Sequence, residues 1–194
     1  MSFLLSLSRF IDALNEKIGS LVSWALLISV LICTGNAVVR YAFNYSSNAW
    51  LEIQWYLFAA IFLLGASYTL KRNEHVRIDV VVGRFSKRTQ VWIDIFGFLL
   101  FLLPMTLIIL YYAVPYTWIS IESQEVSSNA GGLIIWPAKL LIPAGFLLLT
   151  LQGVSELIKR IGFLQGRVPA SAFEKQATTP EEEIEAIKAA NKLN

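Results

Sequence analysis

Hydrophobic positions gather into four long runs, residues 20–39, 53–70, 95–121 and 140–155, none of which contains Asp, Glu, Lys, Arg or His. A helix rises about 1.5 Å per residue and needs about 20 residues to cross the hydrocarbon core of a bilayer. The fourth run reaches that length if Lys139 is tolerated near its start, giving 133–156. The pattern predicts an all-α fold: a polytopic membrane protein with four transmembrane helices. Ahead of the first run, Phe3, Leu4, Leu7, Phe10, Ile11, Leu14 and Ile18 recur at helical spacing, with Arg9, Asp12, Glu16 and Lys17 between them. That is an amphipathic helix, which either lies along the cytoplasmic interface or covers a partner helix. The expected organisation is an amphipathic segment over 1–17, a four-helix membrane domain over 18–160 and a cytoplasmic tail over 161–194. In the tail, Thr179-Pro180-Glu181-Glu182 reads as a capped helix start with Ile184, Ile187 and Ala190 along one side, which forms either a short cytoplasmic helix or a segment that is mostly disordered alone and orders on a partner.

Composition removes the soluble alternative. The chain is 56% hydrophobic and 15% charged, against about 25% charged in soluble domains, so too little polar sequence exists to cover four such helices. The first run is longer than a signal-peptide core and reads as a retained membrane helix. Charge placement sets an orientation. The connection 71–90 carries Lys71, Arg72, Arg77, Arg84, Lys87 and Arg88 against Glu74 and Asp79, while 119–132 holds Glu122 and Glu125 and no basic residue. Basic loops stay in the cytoplasm, so the first connection is expected inside and the second outside, with both termini cytoplasmic. Lys159, Arg160 and Arg167 agree with that layout. Arg40 and Lys139 fall on the outer side against the rule, and each needs a local partner. Arg40 can pair with Glu52 across the short connection between the first two spans, or it can snorkel to lipid phosphates. Lys139, between Pro137 and Pro143, calls for snorkelling or a partner carboxylate.

Smaller features fit a bilayer. Trp50, Trp55, Trp92, Trp118 and Trp136 lie near span ends, as interfacial anchors do. Pro104 lies inside the long third run and calls for tilt, a kink or an extension beyond the membrane. A surface helix is the expectation for 77–90. Cys33 is the sole cysteine, expected as a buried, inert thiol. Catalytic chemistry finds little material: His75 is the only histidine, no glycine-rich phosphate loop is present, and nucleic-acid binding lacks a basic domain. No enzyme activity is expected. Four spans without an obvious repeat of interrupted hairpins favour an accessory subunit over a substrate-conducting one. The residues alone leave a second reading open, an unrelated four-helix membrane assembly protein.

Three short pieces carry a resemblance: Val39-Arg40-Tyr41-Ala42-Phe43-Asn44 after the first span, Trp50-Leu51-Glu52 at the second, and Asn73-Glu74-His75-Val76-Arg77-Ile78-Asp79-Val80 in the basic connection. With four spans around them, they resemble the DctQ-like small membrane subunit of TRAP, tripartite ATP-independent periplasmic, transporters, over about residues 15–165. Ser128-Asn129-Ala130-Gly131-Gly132-Leu133, Trp136-Pro137-Ala138-Lys139 and Leu151-Gln152-Gly153 resemble the branch associated with 2-oxo acids, mannitol or chloroaromatic compounds. The resemblance implies a three-part importer in a bacterial or archaeal inner membrane. A periplasmic substrate-binding protein captures an organic acid, and a large membrane subunit carries it, usually with sodium, by an elevator-type movement. The small subunit enlarges the static scaffold and helps form the docking surface. Sodium and substrate ligands then belong to the large partner, and this chain carries no cofactor. Arg40, Glu52, Glu74, Arg77, Asp79 and Lys139 become candidate assembly or lipid contacts, and Glu122 and Glu125 a candidate periplasmic docking face.

Overall fold

The computed structural model describes residues 2–45, 47–74 and 84–173. Arg77, Asp79, the surface helix expected within 77–90 up to residue 83, and the helix expected from Thr179 lie outside the described residues. Helix α1 spans Ser2–Phe43 and α2 spans Asn48–Arg72. Next come α3, Lys87–Gly97, a π turn, Phe98–Leu102, and α4, Leu103–Glu122. Helix α5 spans Trp136–Leu164, and a 3-10 turn over Ala170–Ala172 follows. Four helical stretches are long and apolar enough to cross a membrane: Phe3–Phe43, Asn48–Arg72, Lys87–Glu122 and Trp136–Leu164. The all-α, four-span reading therefore holds.

Local chemistry explains the boundaries. Helix α2 ends where Asn73 turns into the left-handed region at φ 55°, and its N–H and that of Glu74 satisfy the Leu70 and Thr69 carbonyls at 3.1 Å each. Lys71 and Arg72 occupy the last turn, where cations complement the helix dipole. Ser86 caps α3 by accepting from the Thr89 N–H. Within the described part of the basic connection, that helix begins at Lys87 and is the start of the third span. Pro104 is accommodated by the π turn before it, where the Leu103 N–H reaches back to the Phe98 carbonyl. Proline clashes with the carbonyl four residues earlier and donates no N–H, and the wider turn relieves both faults.

Helix α5 is the centre of the bundle. Its buried side includes Gly145, Gln152, Gly153, Ser155, Glu156, Lys159 and Arg160. Helices α1, α2 and α4 pack on it. Contact between α2 and α5 is close because Gly145 lacks a side chain; a Cβ there would lie 2.7 Å from the Leu63 carbonyl oxygen. An apolar cluster of Leu70, Val91, Ile95, Phe98, Leu157 and Phe173 joins α2, α3, the π turn, α5 and the segment after it.

The amphipathic segment at the N-terminus differs from its expected form in two ways. It runs without a break into the first span as part of one 42-residue helix. Its polar side also faces inward: Ser8 and Asn15 are buried beside Ile11, while Phe3 and Phe10 are 76% and 68% exposed. Of the two readings open in the sequence, it covers a partner helix, α5. Cys33, expected to be buried, is exposed on α1. Its apolar surroundings are the helix's own outer face, which no other part of the described chain covers.

Candidate functional site

Polar side chains concentrate at the two ends of the bundle. At the end assigned outside by charge, the connection from α4 to α5 folds over the start of α2. A short antiparallel bridge, Val126 to Ile134, shapes it, with Ser127 N–H donating to the Leu133 carbonyl and Ile135 N–H to the Glu125 carbonyl, both at 2.9 Å. Gly131 turns the tip at φ 70°. Beneath this loop Glu52 is 4% exposed. One of its oxygens accepts from Ser127 Oγ and from Asn129 Nδ2 at 2.9 Å, and the other accepts from the Leu133 N–H at 2.6 Å. Asn48 Nδ2 donates to the Ala130 carbonyl at 2.9 Å, and Tyr56 Oη to the Ile134 carbonyl at 3.0 Å.

Glu52 therefore does not pair with Arg40. Three donors from the loop already bond both oxygens of the carboxylate. Arg40 is exposed, and its guanidinium lies 5.3 Å from the ring centroid of Tyr41. Lys139 does find a partner carboxylate: it forms an ion pair with Glu125 and lies 4.1 Å from the Tyr116 ring centroid. That ion pair holds the Glu125 carboxyl below its usual range. Glu122 is exposed and accepts from Trp118 Nε1 at 2.8 Å. Glu74 is exposed at the other end, after α2.

That other end holds a network which reading the sequence missed. Gln152 on α5 accepts from Asn15 Nδ2 at 2.7 Å and donates to Asp12 at 2.9 Å and to Glu156 at 3.0 Å. Ser67 on α2 donates to Asn15 at 2.7 Å. Lys159 reaches Asp12 at 3.2 Å and also pairs with Glu156. Arg160 pairs with Glu156 and, through Nε, with Asp94 of α3 at 2.9 Å. The Arg160 guanidinium lies against Phe98 and Phe173, 4.7 and 5.1 Å from the ring centroids. On the flank, Glu16 binds Lys71 and, at 2.9 Å, Arg72. Acidic and basic groups thus meet across α1, α2, α3 and α5. The available signal was spacing: Ser8, Asp12 and Asn15 fall on one side of α1, and Gln152, Ser155, Glu156 and Lys159 on one side of α5.

The outer geometry joins two of the motif pieces. Trp50-Leu51-Glu52 meets Ser128-Asn129-Ala130-Gly131-Gly132-Leu133 through the Glu52 bonds, while Gln152 of Leu151-Gln152-Gly153 sits at the centre of the inner network. Comparison with known proteins agrees with that pattern. The family model described as "Tripartite ATP-independent periplasmic transporters, DctQ component" matches residues 29–162. A C4-dicarboxylate TRAP transporter small permease protein DctQ from Vibrio cholerae is 31% identical over 75 residues, which cover 39% of this chain and 31% of that relative. No solved structure matches. With four apolar spans and a family match covering most of its length, the chain belongs to the DctQ component family of the tripartite ATP-independent periplasmic transporters.

Proposed function

We propose that this subunit is the fixed scaffold of its transporter, supporting a large sodium-coupled carrier subunit and helping to dock a periplasmic organic-acid-binding protein. The observation that carries the reading is the cross-linked state of both bundle ends. Glu16, Glu52, Asp94, Glu125 and Glu156 are all bonded within the chain, and the inner network ties α5 to three other helices. Such a bundle resists internal rearrangement, which suits the stationary side of a moving carrier. Large apolar residues such as Leu21, Trp24, Leu31, Leu100, Phe101 and Ile108 remain exposed, offering surface to lipid and to the large subunit. The basic connection 71–90 and the acid-only connection 119–132 support cytoplasmic termini and a periplasmic 119–132. The substrate class is a carboxylate: the Vibrio cholerae relative is named for C4-dicarboxylates, and the 2-oxo acid resemblance shares that group.

Reconstitution tests the proposal. Vesicles holding both membrane subunits, with binding protein and organic acid outside and an inward sodium gradient, are expected to take up the acid, and the two membrane subunits are expected to co-purify. Saturable uptake by vesicles containing this chain alone overturns the scaffold reading.

A further inference from the structure

The outer loop is held by an unusual contact. Its 127–133 stretch has little apolar anchorage, since Val126 and Ile134 are 56% and 45% exposed. Glu52 gathers it from below, through Ser127, Asn129 and the Leu133 main chain. Main-chain and charge-assisted bonds to one buried carboxylate fix both position and shape. The carboxylate itself is shielded, so a soluble partner meets the loop rather than the charge. The face offered outward is uncharged at its tip, with Ser128, Asn129, Ala130 and Gly131 exposed, while Glu125 is paired with Lys139 and Glu122 stands on the flank.

We infer that Glu52 is a positioning residue that sets the shape of the 127–133 loop as the recognition surface for the binding protein. The inference rests on the docking role proposed above. The matching partner surface is a folded protein face that meets the loop tip with main-chain groups and small side chains and places a basic side chain opposite Glu122. Glu52 acts through the loop and touches neither the partner nor the substrate.

The chemistry of the amide separates positioning from direct contact. In Glu52→Gln the remaining carbonyl can accept from the Leu133 N–H, while the new NH2 faces Ser127 Oγ, a hydroxyl able to accept, and Asn129, whose amide must turn over to present its oxygen. Much of the loop geometry survives without the charge. In Glu52→Ala all three donors lose their acceptor. Uptake by the reconstituted complex is measured against binding-protein concentration. The half-saturating concentration is expected to rise about tenfold or more in Glu52→Ala and to stay within about threefold of the parent in Glu52→Gln. The rate at saturating binding protein and the co-purified amount of large subunit are expected to stay near the parent level in both. Ser127→Ala, which removes one donor and leaves the carboxylate, is expected to give an intermediate shift and serves if Glu52→Ala fails to assemble. Equal shifts in Glu52→Ala and Glu52→Gln, or no shift in Glu52→Ala and Ser127→Ala, overturn the inference. Hydrogen exchange over 126–135 in the purified complex is the arm independent of docking. Faster exchange in Glu52→Ala than in Glu52→Gln supports the positioning role, and unchanged protection of the Leu133 amide overturns it. Uptake by the parent complex that ignores the binding protein counts against the docking role, and exchange alone then decides whether Glu52 shapes the loop.

Discussion

Glu125 and Lys139 show how one contact resolves an awkward charge. A lysine near the start of an apolar span is costly unless paired, and the need for a partner was legible from its placement. The identity of that partner depended on the loop bringing Glu125 back over α5. Arg40 and Glu52 show the limit of the same reasoning. Proximity in sequence suggested a pair, but proximity cannot reveal that a loop some 75 residues later delivers three donors to the carboxylate. The Glu125 side chain is 38% exposed and its carboxyl is depressed below the usual value of 4.5 by Lys139. A depressed folded-state value gives stabilisation that is present above the unfolded value and is lost as pH falls through the folded one. Thermal unfolding of the purified subunit is therefore expected to separate parent from Glu125→Gln at neutral pH. The gap should close below about pH 4. Glu52 and Glu122 are present in both proteins, and Lys139 stays protonated across this acidic-to-neutral range in both, so the pH dependence of the difference comes from Glu125. A gap unchanged across that range would rule out the ion pair as its source.

Helices were the most legible elements, because apolar runs of this length have few other stable uses. Their faces were much less so. An amphipathic pattern reports two sides without saying which is inside, and the answer inverts when the solvent is lipid. In water, Phe3 and Phe10 would seek the core; here they face outward, and Asn15 lies buried. The break at Pro104 was visible as a disturbance, while its form as a π turn depended on how the carbonyls before it were reused. Small residues were ambiguous for a related reason, since composition cannot tell a close helix contact from filler. Two glycines now separate these cases. A Cβ at Gly145 meets the Leu63 main chain at 2.7 Å, whereas at Gly35 nothing lies within 4 Å. Gly145→Ala is expected to destabilise the subunit by about 1–3 kcal/mol, because backbone must move to make room. Gly35→Ala is expected to leave it unchanged or slightly more stable. Equal unfolding midpoints for the two variants in detergent would show that α2 and α5 are not held at this distance.

At the scale of the whole molecule, the inner network decides how four helices become one body. Each link is short, and together they join α1, α2 and α3 to α5 through Asp12, Asn15, Ser67, Asp94 and Arg160. Sequence reading registered Lys159 and Arg160 as orientation signals and Asp12 as part of a surface face. It had no means of knowing that residues some 147 positions apart share a site. Burial makes such charges interdependent. Lys159 is 6% exposed and faces two carboxylates, Asp12 and Glu156. Removing either one leaves the ammonium a partner, so Asp12→Ala and Glu156→Ala are each expected to be tolerated in part. Removing both leaves a buried cation without an anion, a situation that costs about 3–5 kcal/mol. The double variant is therefore expected to lose more stability than the two single losses added together, with a coupling of about 0.5–3 kcal/mol. Unfolding midpoints of the four purified proteins, compared at one pH and one detergent, measure that coupling directly. Strict additivity would mean that Lys159 escapes to solvent when its partners go, and that the inner end of the bundle is looser than a scaffold requires.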